Sequence, residues 1–110
     1  MSLPATIGSL RVPVIIEAPS DASDGAGGFI RTYAPLAQTW AQVTPLRGAD
    51  SFVEQRQEQS ITHLVRLRWR GDVTSQMRLV VRKRRLLIHA VYDEDERRRF
   101  LICHCEEIAP

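Results

Sequence analysis

Only two cysteines occur in 110 residues, and they stand one residue apart as Cys103 and Cys105. On an extended chain both side chains point to one face, about 6–7 Å apart along the strand. That suits two buried thiols better than a disulfide staple, and thiols stay free in reducing compartments. Long apolar runs are also missing: none approaches the roughly 18–20 residues that span a bilayer. "MSLPATIGSLRV" has no basic stretch followed by an apolar block, so no secretory signal is expected. The expectation is a soluble protein made in a cytoplasm.

Aromatic residues make up 6% of the chain and are scattered (Phe29, Tyr33, Trp40, Phe52, Trp69, Tyr92, Phe100), whereas stacking on bases wants several on one face. "DGAGG" (24–28) has neither the Lys-Ser/Thr of a phosphate-cradling loop nor a helix after it. Zinc is disfavoured at "CHC" with His89, because structural sites use separated ligand pairs and His104 points away from both thiols on a strand. His63 and His104 lack triad partners, Ser75 lacks an elbow motif, and the acids at 93–96 form a solvated turn. No catalytic residue, cofactor or metal is therefore expected.

What is present is a single domain's worth of chain, 44% apolar and 25% charged. A chain of this size buries around two thirds of its unfolded surface and needs no staple. The net charge of +2 is unevenly spread. Residues 1–60 carry Arg11, Arg31, Arg47 and Arg56 against six acids, giving −2. Residues 61–92 carry seven arginines and Lys83 against Asp72, giving +7, and residues 93–110 carry three arginines against six acids, giving −3. Such segregation makes unlike faces suited to head-to-tail contact with copies or partners.

Period-two patterning dominates the chain. "LRVPVIIEA" (10–18) reads as a strand, with Pro13 at its start or on an edge. Turn formers and small residues follow, so 19–38 reads as a long flexible loop of the kind that is functional or mobile. "TWAQVTPL" (39–46) alternates Trp40, Gln42 and Thr44 against Ala41, Val43 and Pro45, a strand ending at Pro45. "GADSFVEQRQEQ" (48–59) has Asp50 or Ser51 as a cap and Glu54 three residues after Ser51, predicting one short surface helix. "SITHLVRLRWR" (60–70) places Val65, Leu67 and Trp69 on one face and Arg66, Arg68 and Arg70 on the other. Strands at 77–81, 85–92 and 99–107 are joined by "RKR" (82–84) and "DEDERR" (93–98). Together these predict a mainly β fold: a small antiparallel β-barrel or sandwich of about six strands in a meander, with one short α-helix.

The order of these features resembles a known family. Gly8, Leu10 and Arg11 stand before the first strand, and Gly27–Gly28 sit in the long loop. "W-A-x-V-x-P-L-x-G" (Trp40 to Gly48), the short helix, "T-H-x-V-x-L-R-W-R" (Thr62 to Arg70), "M-R-L" (Met77 to Leu79) and "L-x-C-x-x-E" (Leu101 to Glu106) follow. From about residue 8 to 107 the chain resembles the phage head-tail joining proteins, also called head-closure or stopper proteins, of long-tailed phages and gene transfer agents. The resemblance implies a structural connector, assembled in a bacterial cytoplasm and resident at the head-tail junction of the particle. It would form a ring, six copies matching the tail's symmetry, between the portal-bound adaptor and the tail-terminator ring. Packaged double-stranded DNA would pass, or be held back, in its channel, with no membrane partner. In part of the family the long loop closes that channel, a role that falls here on Asp24, Gly25, Gly27, Gly28, Phe29 and Arg31. The hairpin at 82–85, often glycine-containing in the family, is "RKRR" here, so a type I′ or II′ turn lacks its usual glycine.

The arginines leave three readings open at this point. Arg66, Arg68 and Arg70, with Arg82, Lys83, Arg84 and Arg85, could be a solvated strand face that blocks aggregation. They could meet an acidic neighbouring subunit, offered by Asp93 to Glu96, or touch the DNA backbone through charge alone. Two further functional readings stand beside the connector: a free-standing nucleic-acid-binding β-barrel, and the neighbouring tail-terminator of the same particle.

Overall fold

Val14 and Ile16 are almost wholly buried while Ile15 between them is 38% exposed, so the alternation in the sequence is the alternation of a pleated strand. The computed structural model describes residues 10–46 and 61–108, and the expected helix at 48–59 lies outside the described residues. Six strands are present: β1 (Val12–Ser23), β2 (Phe29–Pro45), β3 (His63–Arg68), β4 (Arg78–Val81), β5 (Arg84–Asp93) and β6 (Phe100–Ile108). All pair antiparallel, in the order β1-β2-β3-β6-β5-β4, and β4 returns to β1 to close the sheet into a small barrel.

This order differs from a simple meander. β3 pairs with β6 through Val65↔Cys103 and Leu67↔Leu101, and the β4–β5 hairpin is carried round to meet β1. Closure removes the edges that an open six-stranded sheet would expose. The inward side chains of all six strands fill one core: Val14, Ile16, Ala41, Val65, Leu67, Leu79, Val81, Leu86, Ile88, Leu101, Cys103 and Cys105. Each large apolar side chain so buried contributes about 1.5–3 kcal/mol. The two cysteines are both fully buried, as their shared face requires.

The largest correction concerns residues 19–38. They are not an irregular loop. β1 and β2 run on together from Val12↔Ala41 to Ser23↔Phe29, so these residues form the outer part of one long hairpin turned at 24–28. A bulge leaves Leu36 opposite no residue where Ile16 pairs with Ala37 and Glu17 with Pro35. Past that point β1 leaves β4, whose pairing with it covers only Ile15 to Glu17, and β2 pairs with β3 only from Ala41 to Pro45. Residues 18–23 and 29–36 therefore make a two-stranded ribbon projecting from the barrel, about 20 Å long at the usual rise of a strand.

Candidate interaction surfaces

The ribbon is held at its tip by Asp24. Its Oδ1 accepts from the backbone N–H of Ala26 (2.8 Å) and of Gly28 (3.0 Å), and its own N–H donates to the Gly28 carbonyl at 3.1 Å. Those two N–H groups hold the Asp24 carboxyl below its ordinary range. Gly25 and Gly27 adopt φ of +82° and +87°, a region open to glycine at little cost, which explains their presence in "DGAGG". Arg31 pairs across the ribbon with Asp21 (2.8 Å) and reaches Gln76 Oε1 at 3.2 Å. The Tyr33 hydroxyl donates to the Gln76 carbonyl, and Arg78 lies 4.0 Å over the Tyr33 ring while also pairing with Glu17. These contacts tie the ribbon to Gln76 and to Arg78 at the start of β4. They leave Phe29 (75% exposed), Ile30 (55%) and Leu36 (44%) facing outward, with Trp40 (56%) on the barrel wall below.

Of the seven basic positions singled out in the sequence, the structure divides the set. Arg66 is not on a wet face: its side chain is 7% exposed. Its guanidinium donates to both carboxylate oxygens of Glu94 (3.0 and 2.5 Å) and to Gln42 Oε1 at 2.8 Å. The reason is register. Gln42, Arg66, Ile102 and Tyr92 form one row across β2, β3, β6 and β5, on the outer side of the barrel. The segment after β5 then brings Glu94 onto that row. Glu94, one of the acids that the second reading placed on a neighbouring subunit, thus meets Arg66 within the same chain. Arg70 pairs with Asp72 at 3.0 Å and Arg84 with Glu107 at 2.7 Å. Arg68, Arg82, Lys83 and Arg85 are exposed and have no acidic partner among the described residues.

The surviving cations separate by position. Arg68 lies at the end of β3 towards the ribbon, whereas Arg82, Lys83 and Arg85 lie at the far end of the barrel. That placement follows from the pairing of Arg78 with Glu17 and of Arg85 with Ile108. Arg82 and Lys83 are the two central residues of the turn between Val81 and Arg84, with φ of 51° and 71°. Both angles are positive, as in a type I′ turn, although neither residue is glycine.

Sequence reasoning offered Glu94 only within a neighbouring subunit's acidic turn and did not offer Gln42 at all, because only the strand register brings both to Arg66 in one chain. It also missed the ribbon, whose sign was the β-branched and aromatic content of "FIRTY" (29–33) on the far side of the glycines. Among the described residues no group of three or more His, Cys, Asp or Glu side chains is arranged to hold a metal ion.

The model of one protein family, the phage head completion protein, matches residues 5–108. The chain belongs to that family. It is a structural protein of phage head completion, in agreement with the resemblance read from the sequence. Solved structures share its fold. The solution structure of protein SF1141 from Shigella flexneri 2a has a TM-score of 0.73 and 24% identity, covering 94% of this chain and 96% of that one. A chain from the virion of a native gene transfer agent particle has a TM-score of 0.69 and 22% identity, covering 92% and 97%. Comparison with curated proteins returns no match.

Proposed function

We propose that this head completion protein assembles as a ring, six copies in the simplest case, at the junction between a DNA-filled head and its tail. On this reading it is a virion component of a phage or gene transfer agent particle. The ring stands between the portal-bound adaptor and the tail-terminator ring, closes the DNA channel, and offers the surface on which the tail docks. Membership of the family supports the head-completion part of this reading, and the virion chain of similar fold gives it a setting.

The observation that carries the mechanism is the projecting ribbon. Isolated two-stranded hairpins are marginal in water, and one that projects with large apolar side chains exposed on it offers a surface to a partner. Phe29 and Ile30 stand beside the ribbon tip with their side chains in solvent. The closed barrel acts as the rigid body. The ribbon, pinned at its base by Arg78, Tyr33 and Glu17, is the arm that meets a neighbouring ring component or narrows the channel. Asp24, Gly25, Gly27 and Gly28 set the shape of the arm's tip, and Arg31 stiffens it.

The test replaces the chain in a producing strain with Phe29→Ser/Ile30→Ser, first shown to unfold at the parent's midpoint. Negative-stain electron microscopy should then find heads and tails apart. Tailed particles in the parent's proportion would reject the ribbon as the docking arm.

A further inference from the structure

The β4–β5 turn carries an arrangement that its backbone does not favour. Two-residue hairpin turns with positive φ at both centres are the domain of Asn-Gly and Gly-Gly, because a Cβ there meets the following carbonyl. This turn holds Arg82 at 51° and Lys83 at 71°. Their neighbour Arg85 is also exposed, and none of the three has an acidic partner among the described residues. Arg84, in the midst of them, is taken up by Glu107 at 2.7 Å. Sparsely populated backbone held against its preference is a reason to look for function. Here the side chains gained by avoiding glycine are two cations at the apex of a hairpin.

We propose that the β4–β5 turn is a contact point for the phosphate backbone of duplex DNA, made by Arg82, Lys83 and Arg85. The proposal rests on the head-completion reading and specifies which end of the barrel faces the packaged DNA. DNA is favoured over an acidic protein face by what the turn lacks. Protein interfaces are anchored by buried aromatic and large apolar side chains. Of the exposed members of that class, Tyr92 lies at the opposite end of β5, Ile15 is separated from Arg85 by Val80 in one cross-strand row, and Phe29, Ile30, Leu36, Trp40 and Trp69 lie on β2 or after β3. Phosphate contact needs charge alone. A tip of free cations with no aromatic beside it fits a smooth, sequence-independent hold on a duplex that must still move past.

The test uses the full chain, a random-sequence 30-base-pair duplex and a polyglutamate of equal charge, by fluorescence anisotropy. Three cations engaged predict that affinity for the duplex falls about 40-fold between 50 and 200 mM salt, by release of about 0.9 counterion per contact. Arg82→Gly/Lys83→Gly leaves one cation, so the same change of salt should cost only about 3–4-fold. Because glycine suits both φ values, this variant keeps or raises the parent's unfolding midpoint, and lost affinity cannot be lost folding. No binding by the parent at 50 mM salt overturns the proposal, as does an unchanged salt dependence in the variant. Equal binding of polyglutamate also overturns it and assigns the turn to an acidic protein face. Immunodetection of the chain in purified particles separates the two levels. A chain that is present in particles but does not bind DNA defeats this proposal alone, whereas a chain absent from particles defeats the head-completion reading beneath it.

Discussion

Removing Glu94 should unfold this protein more readily than removing any exposed acid, and the size of the effect follows from one row of side chains. Arg66 is 7% exposed and donates to both Glu94 oxygens and to Gln42, while Glu94 itself is 25% exposed. Breaking a fully buried ion pair by deleting one partner costs about 3–5 kcal/mol, chiefly because the other charge is stranded. Here the partial exposure of Glu94 lets water approach, and Gln42 keeps one hydrogen bond, so Glu94→Ala should cost about 2–3 kcal/mol. For a domain near this size that lowers the thermal midpoint by roughly 10 °C. Replacing both partners, as Arg66→Met/Glu94→Leu, leaves no stranded charge and should recover most of the loss. Chemical denaturation of the parent, Arg66→Met, Glu94→Leu and the double variant gives the coupling directly. A Glu94→Ala variant within about 0.5 kcal/mol of the parent would mean that Arg66 is hydrated, and would refute the buried row on the outer side of β3.

Other consequences are as concrete. Arg82→Gly and Lys83→Gly should each raise stability by about 1 kcal/mol, since glycine removes the left-handed penalty at φ of 51° and 71°; a lowered denaturation midpoint contradicts this. Burial, and then the Arg84 guanidinium, hold the His63 imidazole below its ordinary 6.5, with Glu107 opposing. The unfolded chain therefore takes up the proton first. The stability due to neutral His63 is intact above about pH 6.5 and is lost as pH falls through the lower folded value. His63→Gln should flatten that acid limb in denaturation series run between pH 7 and 5. Burial pushes the Cys103 thiol up to about 12 and raises Cys105 as well, with the neighbouring thiol adding to the second. Native protein at pH 8 should thus react with a disulfide reagent only at its opening rate, and rapid stoichiometric labelling would place a thiol at the surface.

The strands were legible wherever one face is buried and the other wet. The alternation of Val65 and Leu67, and the shared face of Cys103 and Cys105, depend only on the period of the pleat. The end of β2 at Pro45 could be read because proline cannot continue a ladder. The ribbon was hidden for the converse reason. Both faces of 18–23 and 29–36 are largely open, so no hydrophobic period forms. The glycines of its tip and Pro19 and Pro35 read as loop, although each proline falls in a strand free on its outer edge. Arg66 misled because local periodicity reports which side a residue faces, not what later folds over that side. Glu94 arrives from 28 residues away. The pairing of β3 with β6 rather than β4 is likewise a property of closure, invisible to any local window. The candidate site was legible as two stretches, the glycine-rich segment and the basic hairpin. Which of their side chains remain unpaired was not legible, since it depends on the distances to Asp21, Asp72, Glu94 and Glu107.

The most direct test of the central claim is electron microscopy of particles from a producing strain from which this gene has been deleted. A head completion protein acting at the junction predicts free tails beside unattached heads that leak DNA, with tailed particles restored when the gene is supplied again. Normal tailed, DNA-filled particles in the deletion strain would contradict the junction role.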